Sequence, residues 1–381
     1  MKQVSIMLKP ASSLCNLRCK YCFYTDVAQN RATPCFGMMK PETMGAILAN
    51  AAAELQPGDK VHFVFQGGEP TLAGLDFYRT FVSIADGWQD VQVTYALQTN
   101  GTLLDEDWCK FLKEHNFLVG VSLDLLRDCH DDVRQDRQGR GTWKQVTRAI
   151  ELLDKHAVEY NVLCTLTNAV ARHPRQVWQQ LQKLDVRFVQ FTPCLGEMEG
   201  ETSPFALTPK RFADFYTTLF DLWREEMSRG KWRSVKFFDD VVNLLVLGRP
   251  TGCGMDGVCR PQLVVEADGS AYPCDFYCTD QYRLGNLTEE TVSEVLSAPG
   301  VQEFIDRPQD RSAFCEACPY DTFCAGNCPR MRREICYAAD NSVYCGYRDF
   351  LDRCGEGLAE LARKYSQRLK GAAQTEGGTK K

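Results

Sequence analysis

Short apolar runs with the length of buried strands recur through the first half of the chain. These runs, rich in Val, Phe and Leu, occupy residues 61–66, 91–98, 117–123, 158–166 and 187–192. Segments with helical periodicity separate them at residues 41–55, 106–114, 143–155 and 175–183. With the run before Cys15, this alternation gives about six strand–helix units at intervals of roughly thirty residues. The pattern predicts an α/β fold with a parallel sheet, and leaves a partial barrel and a doubly wound sheet equally open.

The pattern changes in the second half. Residues 203–249 have helical periodicity, and from Gly252 onward the chain is dominated by cysteine, glycine and short irregular segments. Residues 350–369 read as a further helix, and the polar stretch 371–381 as a disordered tail.

Composition and charge narrow the functional classes. Hydrophobic residues make up 44% of the 381 residues, which suits a globular core. The net charge of -6 gives no electrostatic reason to expect a nucleic-acid partner. No apolar run approaches a membrane span, and no long apolar signal region opens the chain, so we expect a cytoplasmic protein without a membrane partner.

The chain has 19 cysteines. Cytosolic thiols are normally kept reduced, so dense cysteine predicts metal binding more than disulfides. An odd count also cannot form a complete disulfide framework.

Cys15, Cys19 and Cys22 form a C-x3-C-x2-C loop ahead of any predicted helix. A structural zinc site uses four protein ligands, whereas three leave one coordination position open. A 4Fe-4S cluster with three cysteines likewise has one iron available for another ligand. The alternative is three unrelated buried cysteines, since free cysteine is a small hydrophobe.

This spacing, with Tyr21 directly before the last cysteine, resembles the signature of the radical S-adenosylmethionine (SAM) enzymes. The resemblance implies a 4Fe-4S cluster on Cys15, Cys19 and Cys22, whose fourth iron is chelated by SAM, and Tyr21 as a cofactor-binding residue. It also implies a partial (β6α6) TIM-like barrel.

The sequence Gly67-Gly68-Glu69-Pro70 ends the strand-like run 61–66 and resembles the motif that binds the SAM amino group, with Gly68 as the matching position. By the same resemblance, Ser122 meets the SAM ribose, Arg134 its carboxylate and Leu195 its adenine. Taken singly, each is equally an ordinary cap or loop residue. Leu125-Leu126 follows Asp124 where relatives usually carry Gly-Pro, which leaves the local backbone path and the role of Asp124 open.

A second cysteine field follows residue 252, and two C-x2-C-type pairs there would also suit a zinc ribbon. The fuller pattern, G-x4-C and then C-x2-C-x5-C-x3-C and a distal cysteine, resembles the SPASM extension of radical SAM enzymes. The resemblance implies two auxiliary 4Fe-4S clusters. The first would be held by Cys253, Cys259, Cys274 and Cys328, and the second by Cys315, Cys318, Cys324 and Cys345.

With four cysteines each, such clusters suit electron transfer better than substrate binding. Of the eight cysteines left over, most are expected to be buried hydrophobes. Cys278 and Cys336 lie near ligands in sequence and could tune a cluster or have no role.

The resulting domain prediction is a radical SAM barrel with linking helices, a SPASM domain, and a helix with a tail, at residues 1–235, 236–349 and 350–381.

A narrower resemblance, to the anaerobic sulfatase-maturating enzymes, runs from residue 9 to about 345. It is carried by Lys9-Pro10-Ala11-Ser12-Ser13, Phe23-Tyr24, 66–74, 97–102 and 272–277. It implies oxidation of a cysteine or serine in a sulfatase polypeptide to Cα-formylglycine. The implied partners are an unfolded sulfatase polypeptide with a Cys/Ser-x-Pro/Ala-x-Arg motif and an electron donor such as flavodoxin or ferredoxin.

In that reaction a SAM-derived radical removes a hydrogen atom from the substrate Cβ, after which an electron and a proton must leave. The resemblance assigns the base to Asp275, next to Cys274, and the electron to the auxiliary clusters. Asp275 could instead be a turn residue bonded to its own backbone. Tyr24 and Gln98 are candidate peptide contacts, with packing or capping as the alternative.

Two other functions compete. A SPASM enzyme that forms thioether or carbon–carbon crosslinks in a precursor peptide often has an amino-terminal peptide-binding domain, whereas fourteen residues precede Cys15 here. A non-enzymatic metal scaffold or electron carrier would not explain an open three-cysteine site followed by Gly-Gly-Glu-Pro.

Overall fold

The computed structural model describes residues 2–198, 203–309, 311–337 and 344–377. The strands are β1 (Gln3–Leu8), β2 (Lys60–Phe65), β3 (Gln92–Thr99), β4 (Leu118–Ser122), β5 (Tyr160–Leu166), β6 (Phe188–Pro193), β7 (Ser234–Val235), β8 (Leu263–Val265), β9 (Ser270–Tyr272) and β10 (Gly285–Asn286). The α-helices are α1 (Phe23–Gln29), α2 (Pro41–Ala52), α3 (Leu75–Ala85), α4 (Glu106–Glu114), α5 (Arg127–Val133), α6 (Trp143–Lys155), α7 (Asn168–Ala171), α8 (Pro174–Lys183), α9 (Pro209–Ser228), α10 (Lys236–Leu247), α11 (Val292–Leu296), α12 (Pro299–Asp306), α13 (Asp321–Cys324), α14 (Arg332–Ile335) and α15 (Gly346–Gly377). Short 3-10 helices lie at Pro70–Ala73, Asp275–Tyr277, Asp280–Tyr282 and Ala313–Cys315.

The chain forms two compact units, each assembled from separate segments. The first contains Met1–Leu163, Glu197–Ser203 and Pro261–Pro308, and the second contains Cys164–Gly196, Pro204–Arg260 and Gln309–Lys381. This division differs from the predicted boundaries after residues 235 and 349, because the segment Pro261–Pro308 carries strands that join the sheet of the first unit.

The sheet of the first unit runs in the order β10-β9-β8-β1-β2-β3-β4-β5. Strands β8 and β1 to β5 are parallel, whereas β9 pairs antiparallel with both β8 and β10. Leu8 lies opposite both Phe65 and Val265, and Phe65 lies opposite Leu97. The loops that follow β1, β2, β3 and β8 therefore leave the sheet at one edge, which is where parallel sheets place their chemistry.

Aromatic packing holds this sheet to its helices. Phe63 and Phe65 of β2 both meet Phe81 of α3 edge to face, with ring centroids 4.9 Å apart. Asp105 caps the amino terminus of helix α4, and its side chain accepts hydrogen bonds from the backbone N–H groups of Asp107 and Trp108. The apolar runs predicted as strands are thus buried strands, and their boundaries shift by one or two residues.

The second unit is mainly helical. Strands β6 and β7 form a short parallel pair, in which Phe188 lies opposite Ser234. Phe212 and Tyr216 of α9 pack against Phe237 of α10 and Phe350 of α15, with ring centroids 4.3 to 6.4 Å apart. The helical periodicity of residues 203–249 therefore marks core positions.

The last helix, α15, continues through residues 371–377, which the sequence analysis predicted to be disordered. Ala372, Ala373 and Gln374 are good helix formers, which favours this continuation. Residues 378–381 of the predicted tail lie outside the described residues.

No helix in the described segments combines the length and the apolar character needed to cross a membrane.

Candidate active site and cluster sites

The three cysteines of the first motif lie in the loop after β1. Each of the Cys15 and Cys19 thiols is near enough to the other motif thiols to interact with them electrostatically. The Leu17 N–H donates a hydrogen bond to the Cys15 Sγ at 3.3 Å. Burial raises the pKa of Cys15 to about 11 and that of Cys19 to about 12. The loop gathers three thiols, and a thiol must lose its proton when it binds a metal centre.

Gly68 is required by the backbone contact between its own turn and this loop. Its N–H donates to the Ser12 carbonyl at 2.8 Å, and the Glu69 N–H donates to the Leu14 carbonyl at 2.8 Å. A Cβ at position 68 would lie 2.1 Å from the Leu14 carbonyl oxygen. The glycine therefore lets the turn after β2 pack directly on the chain ahead of Cys15.

Glu69 ties the neighbouring strand ends together. Its buried carboxylate accepts hydrogen bonds from the Thr71 and Thr99 hydroxyls and from the Asn100 N–H, at 2.6 to 2.7 Å. The Asn100 side chain in turn points its Nδ2 at the Cys15 Sγ, 3.9 Å away. The end of β3 is thus fixed against the cysteine loop.

Tyr21, Asp124 and Arg134 form a buried polar cluster beside Cys19. The Tyr21 hydroxyl donates to the Asp124 Oδ2 at 2.5 Å, and the Arg134 Nε pairs with the same oxygen at 3.1 Å. Burial opposes the charge on Arg134, but Asp124 holds the pKa of the guanidinium well above its ordinary value. The structure therefore brings together Tyr21 and Arg134, both predicted to bind SAM, and makes Asp124 the hydrogen-bond acceptor of Tyr21 and the ionic partner of Arg134.

Leu125 shows how this chain accommodates Leu-Leu after Asp124, the pair noted above as a departure from the family resemblance. Its φ of 57° lies in the left-handed region, and the Leu126 N–H donates to the Asp124 carbonyl at 2.6 Å across it. That conformation costs about 1–2 kcal/mol for a residue with a Cβ. The Leu125 side chain is fully buried, which offsets this cost by about 1.5–3 kcal/mol.

Asp275 lies between a buried lysine and a glutamine. The Lys9 Nζ is 2.7 Å from the Asp275 Oδ1, and the Gln66 Nε2 donates to the Oδ2 at 2.6 Å. Lys9 is fully buried, whereas the Asp275 side chain retains 12% exposure. Both oxygens of the predicted base are thus held from the strand ends of β1 and β2.

A larger charge network surrounds Lys9. Its ammonium lies 3.7 Å from the centre of the Tyr24 ring and 4.0 Å from the Glu266 carboxylate. Glu266 also accepts hydrogen bonds from the Tyr24 hydroxyl and, at 2.8 Å, from Arg31. Burial opposes the charge on Lys9, but Asp275, the leading opposing influence, holds the lysine pKa well above its ordinary value. Two cations and two carboxylates therefore balance within one buried cluster.

Sequence reasoning assigned no role to four members of this network, namely Lys9, Arg31, Gln66 and Glu266. Lys9, Gln66 and Glu266 are the first residues after β1, β2 and β8, respectively. Their position at the carboxyl ends of these strands is the sequence signal that could have identified them as site residues. Arg31 carried no such signal, because it follows a helix.

The other predicted contacts are placed as follows. Ser122 ends β4 and is half-buried, and Gln98 is half-buried on β3. Tyr24 is buried within the Lys9 network. Leu195 is buried and follows β6 in the second unit. Their proposed contacts with SAM or peptide stay predictions.

One pocket of the second unit contains all four cysteines assigned to the second auxiliary cluster. It is lined by Phe314, Cys315, Cys318, Tyr320, Asp321, Cys324, Gly326, Cys336, Tyr337, Cys345, Tyr347 and Arg348. Four thiols that line one pocket together with four aromatic residues fit the ligation of a closed 4Fe-4S cluster.

Three cysteines assigned to the first auxiliary cluster are also neighbours in the second unit. Cys259 and Cys328 lie near enough to Cys253 to raise the pKa of its thiol, after burial itself, to about 11. Gly254 has a φ of 70°, and a Cβ there would lie 2.6 Å from the Cys328 Cβ. Cys274, the fourth assigned ligand, belongs to the first unit and directly precedes Asp275.

Among the described residues, no three His, Cys, Asp or Glu side chains are grouped tightly enough to hold a single metal ion. A 4Fe-4S cluster distributes its thiolates over separate irons, so its cysteines need not meet at the position of one metal ion.

Family models match both halves of this arrangement. Residues 10–172 match the radical SAM superfamily, and residues 253–319 match an iron–sulfur cluster-binding domain, SPASM. The chain is therefore a radical SAM protein with a SPASM domain, and the predicted SAM and iron–sulfur cofactors agree with both models.

Comparisons with individual proteins define the family more narrowly than the two family models do. A cysteine-type anaerobic sulfatase-maturating enzyme of Clostridium novyi (strain NT) is 38% identical over 97% of this chain and its own full length. A serine-type anaerobic sulfatase-maturating enzyme of Klebsiella aerogenes is 32% identical over 96% of this chain and 88% of its own. The crystallised anSMEcpe with bound AdoMet and Cp18Cys peptide matches with a TM-score of 0.85 and 36% identity, over 95% of this chain and 99% of that one.

The chain belongs to the anaerobic sulfatase-maturating enzymes. This confirms the family and the radical SAM fold class predicted from the sequence.

Proposed function

We propose that this protein oxidises a cysteine or serine of a sulfatase polypeptide to Cα-formylglycine. The observation that carries the proposal is Asp275, held by Lys9 and Gln66 at the same sheet edge as the three-cysteine loop. A radical generator and a base are two of the parts that this oxidation needs from the protein, and an electron acceptor is the third.

Cys15, Cys19 and Cys22 would hold the SAM-binding cluster, and Gly68, Ser122, Arg134, Tyr21 and Leu195 would form the SAM site. Cys253, Cys259, Cys274 and Cys328 would hold the first auxiliary cluster, by the family pattern. Cys315, Cys318, Cys324 and Cys345 would hold the second, which their shared pocket supports. When bound, these groups supply a 5′-deoxyadenosyl radical and one-electron acceptors.

The residues of this chain would then manage the proton. Removal of one hydrogen atom from Cβ leaves a carbon radical, which becomes a C=O or C=S group by losing one electron and the heteroatom proton. With a cysteine substrate, water must then hydrolyse the C=S group to the aldehyde, and the sulfur leaves as hydrogen sulfide. The Asp275 carboxylate accepts that proton. Lys9 and Gln66 keep its two oxygens from rotating, which matters because a general base must lie within hydrogen-bonding reach of its proton.

Asp275 is suited to this role by its partial exposure. A carboxylate enclosed on every side by its own partners could not meet a peptide, whereas 12% of the Asp275 side chain remains accessible. The buried Lys9 ammonium pairs with its Oδ1.

The test is an anaerobic turnover assay with the fully reconstituted, reduced protein, SAM and a peptide containing Cys-x-Pro-x-Arg or Ser-x-Pro-x-Arg. We expect 5′-deoxyadenosine together with a new aldehyde, seen in a serine peptide as the loss of two hydrogens. A peptide that gains an internal thioether or carbon–carbon bond would support the crosslinking alternative. Abundant 5′-deoxyadenosine with an unchanged peptide would refute the proposal.

Running the cysteine and serine peptides in parallel would assign the substrate preference, since relatives of both types are similar to this chain. The flavodoxin or ferredoxin donor, the substrate motif and a cytoplasmic location remain predictions.

A further inference from the structure

A buried histidine links the backbones of Asp124 and Arg134. His130 lies on α5 and is fully buried. Its Nδ1 accepts a hydrogen bond from the Asp124 N–H at 3.2 Å, and its Nε2 lies 3.1 Å from the Thr142 Oγ1. The Thr142 hydroxyl in turn donates to the Arg134 carbonyl oxygen at 2.9 Å. His130 and Thr142 therefore form a relay of three hydrogen bonds between the two residues of the buried ion pair.

The direction of each hydrogen bond in this relay follows from the groups involved. A backbone N–H can only donate, so the His130 Nδ1 is its acceptor and the neutral imidazole carries its proton on Nε2. A carbonyl oxygen can only accept, so the single Thr142 hydroxyl proton points at Arg134, and the Thr142 oxygen accepts from Nε2. Burial lowers the pKa of His130 to about 4, against the attraction of the Asp124 carboxylate, so the imidazole is neutral at neutral pH.

Thr142 contributes its hydroxyl to this relay and not to its own helix. It directly precedes α6, at the position where a threonine side chain commonly accepts a hydrogen bond from the first helical turn. The Thr142 side chain makes no such capping bond, and the Trp143 N–H donates instead to the Asp131 Oδ1 at 2.8 Å. The threonine hydroxyl is therefore left for His130 and Arg134.

We propose that His130 is a positioning residue of the SAM site, which together with Thr142 holds Arg134 in place to pair with the SAM carboxylate. This inference rests on the proposed function for the assignment of Arg134 to that carboxylate. The relay joins the backbones of Asp124 and Arg134, and the ion pair between the Arg134 Nε and the Asp124 Oδ2 joins their side chains at 3.1 Å. Without the relay, Arg134 should shift, and only ligands that carry a carboxylate should bind less tightly.

The test compares the oxidised wild-type holoenzyme with Thr142→Val and Thr142→Ser. Two probes are titrated by anaerobic calorimetry, namely SAM and 5′-methylthioadenosine, which keeps the adenine and ribose but lacks the carboxylate. Valine has nearly the shape of threonine but no hydroxyl, so Thr142→Val should bind SAM about 10-fold more weakly and methylthioadenosine as the wild type does. Thr142→Ser keeps the hydroxyl and should bind SAM nearly as tightly as the wild type.

A double variant tests whether the two side chains act as one relay. His130→Asn removes the Nε2 donor, so adding it to Thr142→Val should weaken SAM binding no further than the weaker single variant. Iron content and thermal melting establish that each protein is loaded and folded. The matched control is Thr147→Val, since the Thr147 hydroxyl donates within α6 to the Trp143 carbonyl at 3.0 Å. Its SAM affinity should not change.

The inference is overturned if Thr142→Val binds SAM as tightly as the wild type or loses affinity for both probes equally. It is also overturned if Thr142→Ser is as weak as Thr142→Val, or if the His130 and Thr142 substitutions weaken binding independently. Loss of iron from the variants would show that the relay supports the cysteine loop instead. A wild-type holoenzyme that binds SAM but forms no aldehyde would refute the proposed function and leave this inference intact.

Discussion

Two carboxylates of the first unit, Asp124 and Asp275, are each paired with a buried cation but are built differently. Asp124 is fully buried, and both the Tyr21 hydroxyl and the Arg134 guanidinium converge on its Oδ2. Asp275 is approached by Lys9 at one oxygen and by Gln66 at the other, and its side chain remains partly exposed.

The difference separates a carboxylate that orders a site from one that can react in it. Since Asp124 has no exposed surface, its charge can only hold Tyr21 and Arg134 in place. Asp275 has an accessible side and a fixed orientation, which together suit a general base. The two regions should therefore respond differently to the same substitution: Asp275 through the chemical step, and Asp124 through stability and SAM binding.

Asp275→Asn should have the largest effect on the reaction. The amide keeps the shape of the side chain but cannot accept the proton, so aldehyde formation should fall about 100- to 10,000-fold. Iron content and 5′-deoxyadenosine formation should persist. The measurement is peptide mass together with 5′-deoxyadenosine, using the exposed Asp280→Asn as the control. Undiminished aldehyde formation would remove Asp275 from the base role.

Asp124→Asn should act mainly on stability. It removes the negative charge that faces the buried Arg134, and breaking a buried ion pair typically costs about 3–5 kcal/mol. We expect a lower urea midpoint and weakened SAM binding, which would reduce 5′-deoxyadenosine and aldehyde formation in proportion. If Asp124→Asn keeps its stability and loses only aldehyde formation, the proposed difference between an ordering Asp124 and a reacting Asp275 is wrong.

Lys9→Met tests whether the orientation of Asp275 matters separately from its presence. Methionine fills a similar volume but removes the ion pair at the Oδ1, so the aldehyde formed per 5′-deoxyadenosine should fall about 10- to 100-fold. Lys110→Met removes an exposed ion pair with Asp107 and should leave this ratio unchanged. An unchanged ratio in Lys9→Met would show that Gln66 alone is enough to hold the carboxylate.

The regions around Asp124 and Asp275 also show which features could be predicted from the sequence and which could not. The cysteine spacing, Gly68 and Asp275 could be predicted because each lies in a short motif whose chemistry is local. The contact between Lys9 and Glu266 could not be predicted from the sequence. It depends on the parallel pairing of β8 with β1, which are separated by more than 250 residues along the chain. A long-range register of this kind leaves no periodic signal in either segment.

The pairing of Tyr21 with Asp124 was also beyond the sequence, because it depends on how the backbone turns at Leu125. Leu125-Leu126 could be recognised as a departure from Gly-Pro, but not as a left-handed residue stabilised by its own burial. The sequence therefore showed that Leu125-Leu126 is unusual, but it could not show that this turn places Asp124 beside Tyr21.

Leu125→Gly should have the smallest effect and shows whether burial or backbone strain dominates near Asp124. Glycine relieves the left-handed conformation, worth about 1–2 kcal/mol, but removes a buried leucine side chain, which typically costs about 2–5 kcal/mol. The net expectation is a loss of roughly 1–3 kcal/mol, measured as a lower urea midpoint. Leu125→Ala loses most of the same burial and keeps the strain, so it should be less stable than the glycine variant. If alanine proves the more stable of the two, the left-handed turn imposes little strain, and burial alone holds Asp124 in place.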